Sequence, residues 1–189
     1  MRAAKTRTFA ITTLLALALT GAAQNPISGK VPDSQIALDL QARAKAYLDL
    51  RKKVAGSAPA SGDSPAAISS AQHELANKIR VARAGTRQGD IFTPPIATYV
   101  KKHIAAVISG PHGGDIKASL RRAEPVKIQL QVNQSYPENM PLQSTPPSLL
   151  MNLPDLPKGL EYRLLGNELV LRDADANVIV DYVPNAVPM

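Results

Sequence analysis

Asp173, Asp175, Asn177 and Asp181 stand at spacings that could do chemistry. Oxygen-bearing side chains at alternating positions are what a hard cation such as calcium requires. The run Asp173-Ala174-Asp175-Ala176-Asn177 therefore reads as a candidate metal loop, with Asp181 four residues beyond it, and its reaction class would be a calcium-assisted hydrolysis. Two departures weaken the pattern. Val178 stands where the glycine of a calcium-binding loop belongs, and Pro184 stands where its bidentate glutamate belongs. Asp and Asn also favour tight turns for backbone reasons, since their side chains hydrogen-bond locally and tolerate left-handed conformations. A plain turn between two strands is the stronger reading.

A second set is cationic: Lys78, Arg80, Arg83, Arg87, Lys101 and Lys102 fall on or beside two helical segments. Together they read as a surface for an anionic partner, such as an envelope polymer, a lipid headgroup or an acidic protein. Arg51, Lys52 and Lys53 end an earlier helix, where cations offset the helix dipole without any ligand. Gly110-Pro111-His112-Gly113-Gly114 could cradle an anion at a helix start, but Asp115 would repel it, so a turn between helices is expected. His73, His103 and His112 have no metal-pair spacing and no residue placed to orient a base, and they read as surface groups. No catalytic set assembles from the sequence.

Positioning elements follow from periodicity. Asp33 or Ser34 can cap a first helix carrying Ile36, Leu40, Tyr47, Leu48 and Val54. Residues 55–64 read as a flexible connection. Ser64-Pro65 opens a second helix with the stripe Ile68, Ala71, Leu75, Ile79 and Ala82, ended by Gly85. Thr93-Pro94 opens a third with Ile96, Val100, Ile104, Val107 and Ile108, and Asp115 a short fourth that stops before Pro125. Beyond Pro125 the period changes to two: Val126, Ile128, Leu130 and Val132 alternate with polar residues as a strand does. Pro146 to Leu153 predicts one or two helical turns entered through proline. Three short strands follow, Leu160–Leu165, Glu168–Arg172 and Val178–Val183, joined by turns at Gly166-Asn167 and Asp173–Asn177. The expected fold class is α+β, with about four helices in residues 24–123 and an antiparallel sheet of about four strands in 124–189, packed as one domain.

The location is read from the N-terminus. Arg2, Lys5 and Arg7 precede an apolar run from Phe9 to Leu19, and Gly21 and Ala23 follow as the small residues a signal peptidase reads. Cleavage after Ala23 is expected, leaving Gln24 as the mature start. A stretch of eleven residues falls short of the roughly 20 that span a bilayer, so the segment targets rather than anchors, and the protein is expected in a periplasm or secreted. The chain holds no Cys, so the exported domain would depend on a hydrophobic core and not on disulfides.

Charge refines the partner classes. The formal net charge of the chain is +7; three of its 22 Lys+Arg and none of its 15 Asp+Glu lie in residues 1–23, so the remainder carries +4. Residues 24–123 hold 15 basic and 7 acidic side chains, residues 124–189 hold 4 and 8, and the two halves are thus opposite in sign. Nucleic acid is the least expected partner, because aromatic residues are 4% of the chain and Trp is absent. Pairing of the Pro137–Pro157 segment or the last strand with another chain is a further assembly route.

The runs Leu160 to Asp173 and Ala176 to Asp181, with Gln88-Gly89-Asp90-Ile91-Phe92-Thr93-Pro94, resemble exported bacterial proteins of unknown function. That resemblance implies an envelope or secreted location and carries no activity with it. Taken together, the sequence points to an exported, non-catalytic binding or interaction protein of the cell envelope, with a small calcium-assisted hydrolase using the Asp173–Asp181 loop as the alternative.

Overall fold

A computed structural model describes residues 32–56, 64–122, 129–137 and 145–188. The expected signal peptide, the 57–63 part of the linker and the 126–128 part of the first expected strand lie outside them. Helices come first and a sheet last, an α+β order: α1 (Asp33–Ala55), α2 (Pro65–Ala82), α3 (Pro94–Ile108), α4 (Gly113–Arg122) and the single turn α5 (Pro147–Leu150) precede β1 (Leu160–Leu165), β2 (Glu168–Asp173) and β3 (Val178–Val183).

Strand order is β1-β2-β3, antiparallel throughout. Gly166, at φ 61, makes the first turn; glycine takes this left-handed conformation without steric cost. Asn177, at φ 50, closes the second. The β2–β3 register shifts between Leu171 and Arg172, whose partners are Asp181 and Ile179, so Val180 is an extra residue on β3. A bulge of this kind re-aims side chains. Here it lets Val180 join the main core while the next residue, Asp181, is buried opposite Leu171.

Both faces of the sheet are covered. Leu160, Tyr162, Leu164, Leu169, Leu171, Val178, Val180 and Val183 share one core with the helices. Leu165, Val170 and Ile179 form a second cluster with Leu130 and Tyr136, from the segment before α5. Helix α1 presents Leu40, Ala44 and Tyr47, spaced so as to share a face, and α3 presents Ile96, Val100, Ile104 and Ile108. Helix α1 packs on α2 and α3, and α3 on α4 and α5.

Four local expectations change. First, the sheet has three strands among the described residues, where about four were expected. Residues 129–131 are irregular, 132–133 turn, and Asn133 takes φ 67, so only Ser135 makes a bridge, to Val178. Backbone bonds from Asn133 N to Ile179 O, Ile179 N to Gln134 O and Tyr136 N to Asn177 O still satisfy the edge of β3. Second, α1 starts after Pro32 with no side-chain cap; the Asp33 carboxylate instead meets Lys102 Nζ at 2.6 Å. Third, α2 buries Ala76 and Ile79 while Ile68, Ala71 and Ala82 of the expected stripe face solvent, and Arg83, not Gly85, is its C-cap. Fourth, α4 begins at Gly113 rather than Asp115. Ser64 does cap α2, accepting from Ala67 N at 3.2 Å.

Gly113 sits where α3 turns into α4, and a Cβ there would stand 1.7 Å from the Ile108 carbonyl oxygen. Gly114 has nothing within 4 Å of the same position. Gly113→Ala is therefore expected to destabilise the fold by at least about 2 kcal/mol, whereas Gly114→Ala, inside the helix, stabilises it by about 0.5 kcal/mol. Denaturant unfolding of the two variants beside the parent reads both.

Candidate functional site

Asp173 ends β2 and is fully buried. Its Oδ2 accepts the Tyr47 hydroxyl at 2.7 Å, and its Oδ1 accepts Arg51 Nη1 at 2.9 Å, Asp175 N at 2.9 Å and Ala176 N at 3.0 Å. Tyr47 and Arg51 lie four apart on α1, the spacing that puts two side chains on one helix face. Arg51 Nη1 also bonds the exposed Asp175 carboxylate at 2.8 Å, and Gln72 of α2 reaches the Ala174 and Asp175 carbonyls at 3.4 and 3.3 Å. One turn between two strands thus holds both α1 and α2. Burial, then the nearby Asp173 charge, pushes the Tyr47 hydroxyl far above its ordinary pKa, so it remains a donor.

Asp181 is the second fully buried carboxylate. Its Oδ1 accepts Gly89 N at 3.0 Å and Tyr182 N at 2.8 Å; its Oδ2 accepts Ile91 N and Phe92 N, both at 2.8 Å. The loop entering α3 wraps around this side chain, with Gly89 at φ 94 inside the wrap. Gln88 Nε2 adds a bond to Tyr182 O at 3.0 Å. The 88–94 segment and the β3 run therefore meet here.

Asn177 has its own partners: Oδ1 accepts Arg172 Nε and Nη2 at 3.0 and 2.8 Å, and Nδ2 donates to Tyr136 O at 3.0 Å. The four expected oxygen ligands are thus divided among three separate structural arrangements. Among the described residues, no group of three His, Cys, Asp or Glu gathers where a metal ion could be held.

The cationic residues are likewise dispersed. Arg83 is 5% exposed: it donates to Asn133 Oδ1 at 2.8 Å and Val180 O at 3.1 Å, with its guanidinium 5.0 Å from the Tyr47 ring centre. Burial lowers its pKa, partly opposed by Tyr47, Asp181 and Asp90. Arg80 donates to Asn133 O at 3.0 Å and Ser135 Oγ at 2.8 Å. Lys78 pairs with Glu74 at 2.7 Å and Lys102 with Asp33 at 2.6 Å, both near the surface. Arg87 is exposed and Lys101 half-buried. Two members of the set therefore join α2 to the segment before α5, leaving Arg87 exposed, Lys78 and Lys102 in surface ion pairs and Lys101 half-buried.

From the sequence, Tyr47 reads only as part of an apolar stripe, Arg51 only as a cation at a helix end and Asn133 only as a polar strand position. The i, i+4 spacing of Tyr47 and Arg51 is a signal, but their partner lies more than a hundred positions away. Asn133 both accepts from Arg83 and donates to Arg83 O at 2.9 Å and Thr86 Oγ1 at 3.0 Å, closing the C-terminus of α2.

Two clefts adjoin these groups. One of about 290 Å³ lies between α1 and the loop before α3, lined by Arg43, Tyr47, Leu50, Arg83, Asp90 and Ile91. The other, about 370 Å³, runs beside β1 and includes Thr145, Leu150, Tyr162 and Arg163. No histidine lines either cleft: His73 Nδ1 bonds its own helix at Ser69 O, 2.8 Å away, His103 packs on Tyr99 with ring centres 4.2 Å apart, and His112 is exposed.

On the opposite sheet face, Glu161 bonds both Arg163 and Arg172. Burial would raise its pKa, but the hydrogen bonds from the two guanidinium groups outweigh burial and hold it below the ordinary 4.5. Comparison with protein-family models, curated proteins and solved structures finds no match to this chain.

Three outcomes follow from this geometry. Asp181→Asn replaces a four-bond acceptor with a group that must point an N–H₂ at backbone donors, and is expected to cost about 3 kcal/mol; Asp175→Ala removes a carboxylate that is 61% exposed and costs under about 1 kcal/mol. Chemical denaturation measures each. For Glu161, a depressed folded pKa means its stabilisation is present above pH 4.5 and lost as the pH falls through the lower folded value. Glu161→Gln should thus lower the thermal midpoint at neutral pH, with the gap to the parent closing as the solution is acidified.

Proposed function

We propose that the protein is exported and serves the bacterial cell envelope as a binding or interaction protein without a catalytic role. Supporting the location is the basic, apolar and small-residue order of residues 1–23. The observation that carries the non-catalytic part is the filling of Asp173 and Asp181. An ionised carboxylate has about four acceptor positions, and each of these accepts four hydrogen bonds from the chain itself. Asp181, with two donors on each oxygen, has no lone pair left for a metal or substrate, and Asp173, with three donors on Oδ1 and the Tyr47 hydroxyl on Oδ2, is fully buried. A general base needs a lone pair within reach of the proton it takes.

For binding, the surface cations Lys78, Arg87, Lys101 and Lys102 favour an anionic envelope polymer, headgroup or acidic protein. The hydrolase alternative gains no support from the separation of Asp173, Asp175, Asn177 and Asp181.

Expression in a bacterial host followed by fractionation and mass measurement is expected to place a chain beginning at Gln24 outside the cytoplasm. The thermal midpoint of that product should be the same in calcium and in chelator, and should rise with an anionic glycan or lipid headgroup at low salt only, since ligands of the native state raise it. An unprocessed cytoplasmic chain would overturn the location. A calcium-dependent rise abolished by Asp175→Ala would overturn the non-catalytic reading in favour of a metal site.

A further inference from the structure

The cleft between α1 and the loop before α3 joins apolar surface to both signs of charge. Arg43, Ala46, Tyr47 and Leu50 line it from one side of α1, at the i, i+3, i+4 and i+7 positions that share a helix face. Ala46, Leu50 and Ile91 supply its apolar surface, and Arg83 forms part of the wall.

Arg83 is 5% exposed, and a guanidinium taken out of water needs partners for its charge and its five N–H groups. One bond from each Nη goes to Asn133 Oδ1 and Val180 O, and the Tyr47 ring covers a face. Nε–H has no acceptor among the described residues, and Asp90 and Asp181 act on this cation only through space. Arg43 is half-buried. Its Nε meets Asp39 at 3.0 Å and its Nη1 the Asp90 carbonyl at 3.0 Å, while Nη2 has no acceptor among the described residues. The Asp90 side chain accepts Arg87 N on Oδ2 at 3.0 Å, and its Oδ1 has no donor among the described residues. Two guanidinium groups with N–H to spare and one carboxylate with an open oxygen therefore border a single apolar surface.

We propose that this cleft binds a free α-amino acid with an apolar side chain, the α-carboxylate on Arg83 and Arg43, the α-ammonium on Asp90 and the side chain on Ala46, Leu50 and Ile91. Size sets the ligand class. A volume of about 290 Å³ lies at the lower edge of small-molecule sites, roughly 300–1,000 Å³, and is too small for a nucleotide or an oligosaccharide. Charge sets the rest. Arg43 and Arg83 are offset locally by Asp39 and Asp90, so a simple anion would gain the guanidinium groups but be repelled by Asp90, whereas a zwitterion brings a partner to each sign. Tyr47 contributes only its ring, because its hydroxyl is held by Asp173.

This site is separate from the surface cations and stands whether or not they bind a polymer. A guanidinium nearly out of water is screened little by salt, so amino-acid binding should persist at a salt concentration that abolishes binding of a polyanion to the surface.

Titration calorimetry of the purified chain with leucine and with phenylalanine at moderate salt tests the proposal. Saturable binding of at least one is expected. For the one that binds, the amine lacking its carboxylate, isoamylamine or phenethylamine, should not bind, and the acid lacking its amino group, isocaproate or hydrocinnamate, should bind several-fold more weakly. Ala46→Phe fills the cleft from an exposed helix position and should abolish binding with the circular dichroism and thermal midpoint unchanged. Asp90→Asn, which keeps an acceptor for Arg87 N, should weaken the amino acid about tenfold and leave the deaminated acid no weaker. Failure of both amino acids to bind overturns the proposal. So does binding that survives Ala46→Phe, or a deaminated acid that binds the parent as tightly as the amino acid does.

Discussion

A carboxylate removed from water must have its charge met by donors, and the placement of the helices on this sheet follows from how Asp173 and Asp181 meet that demand. At one end of β3, the turn beginning at Asp173 draws in the Tyr47 hydroxyl and the Arg51 guanidinium, which fixes the rotation and the axial position of α1. Toward the other end, Asp181 gathers backbone N–H groups of the loop before α3. Hydrophobic burial supplies the larger driving force, but it is non-directional. The two acids supply direction, in a protein that has no cysteine with which to tie its layers covalently.

Cations are managed by the same rule with different partners. Arg83 has no carboxylate within ion-pair distance among the described residues; its charge is met by the Val180 carbonyl, the Asn133 side chain and the face of Tyr47. Arg172 is met by Glu161, Asn177 and the Tyr136 ring. Tyr47 thereby links an acid and a base, donating to Asp173 through its hydroxyl while its ring faces Arg83. Such a network ties α1, α2 and β3 into one unit, and the groups that could have run acid–base chemistry are engaged in doing so.

Polar partners also decide the orientation of α2. Apolar periodicity favours a helix turned so that Ile68, Ala71 and Ala82 point inward. Gln72, Arg80 and Arg83 reach fixed carbonyls on the β2–β3 turn, at Asn133 and at Val180, and leaving those carbonyls and guanidinium groups without partners would cost more than leaving Ile68 and two alanines in water. Their exposure is the consequence of that competition.

The elements themselves were legible in the sequence because their signals are local. Proline and serine at Ser64-Pro65, period-3.6 runs such as Ile96 to Ile108, and the Gly166-Asn167 and Asp173–Asn177 turns depend on neighbours a few residues away, and all appear where expected. Of the candidate site, the residue types were legible but not their partners. Asp173 and Asp175 look the same in sequence whether a calcium ion or Arg51 satisfies them, and nothing near Arg83 announces that Asn133 and Val180 will enclose it. Likewise, the alternation from Val126 to Val132 promised a full strand until Asn133, in its left-handed conformation, turned the chain to close the end of α2. Sequence alone determined that helices precede a short antiparallel meander, since backbone propensity and periodicity act over one turn or one strand. Only the tertiary structure decided which charges are buried, which face of α2 meets water and that Asn133 turns the chain beside β3, because each depends on a donor and an acceptor brought together from distant parts of the chain.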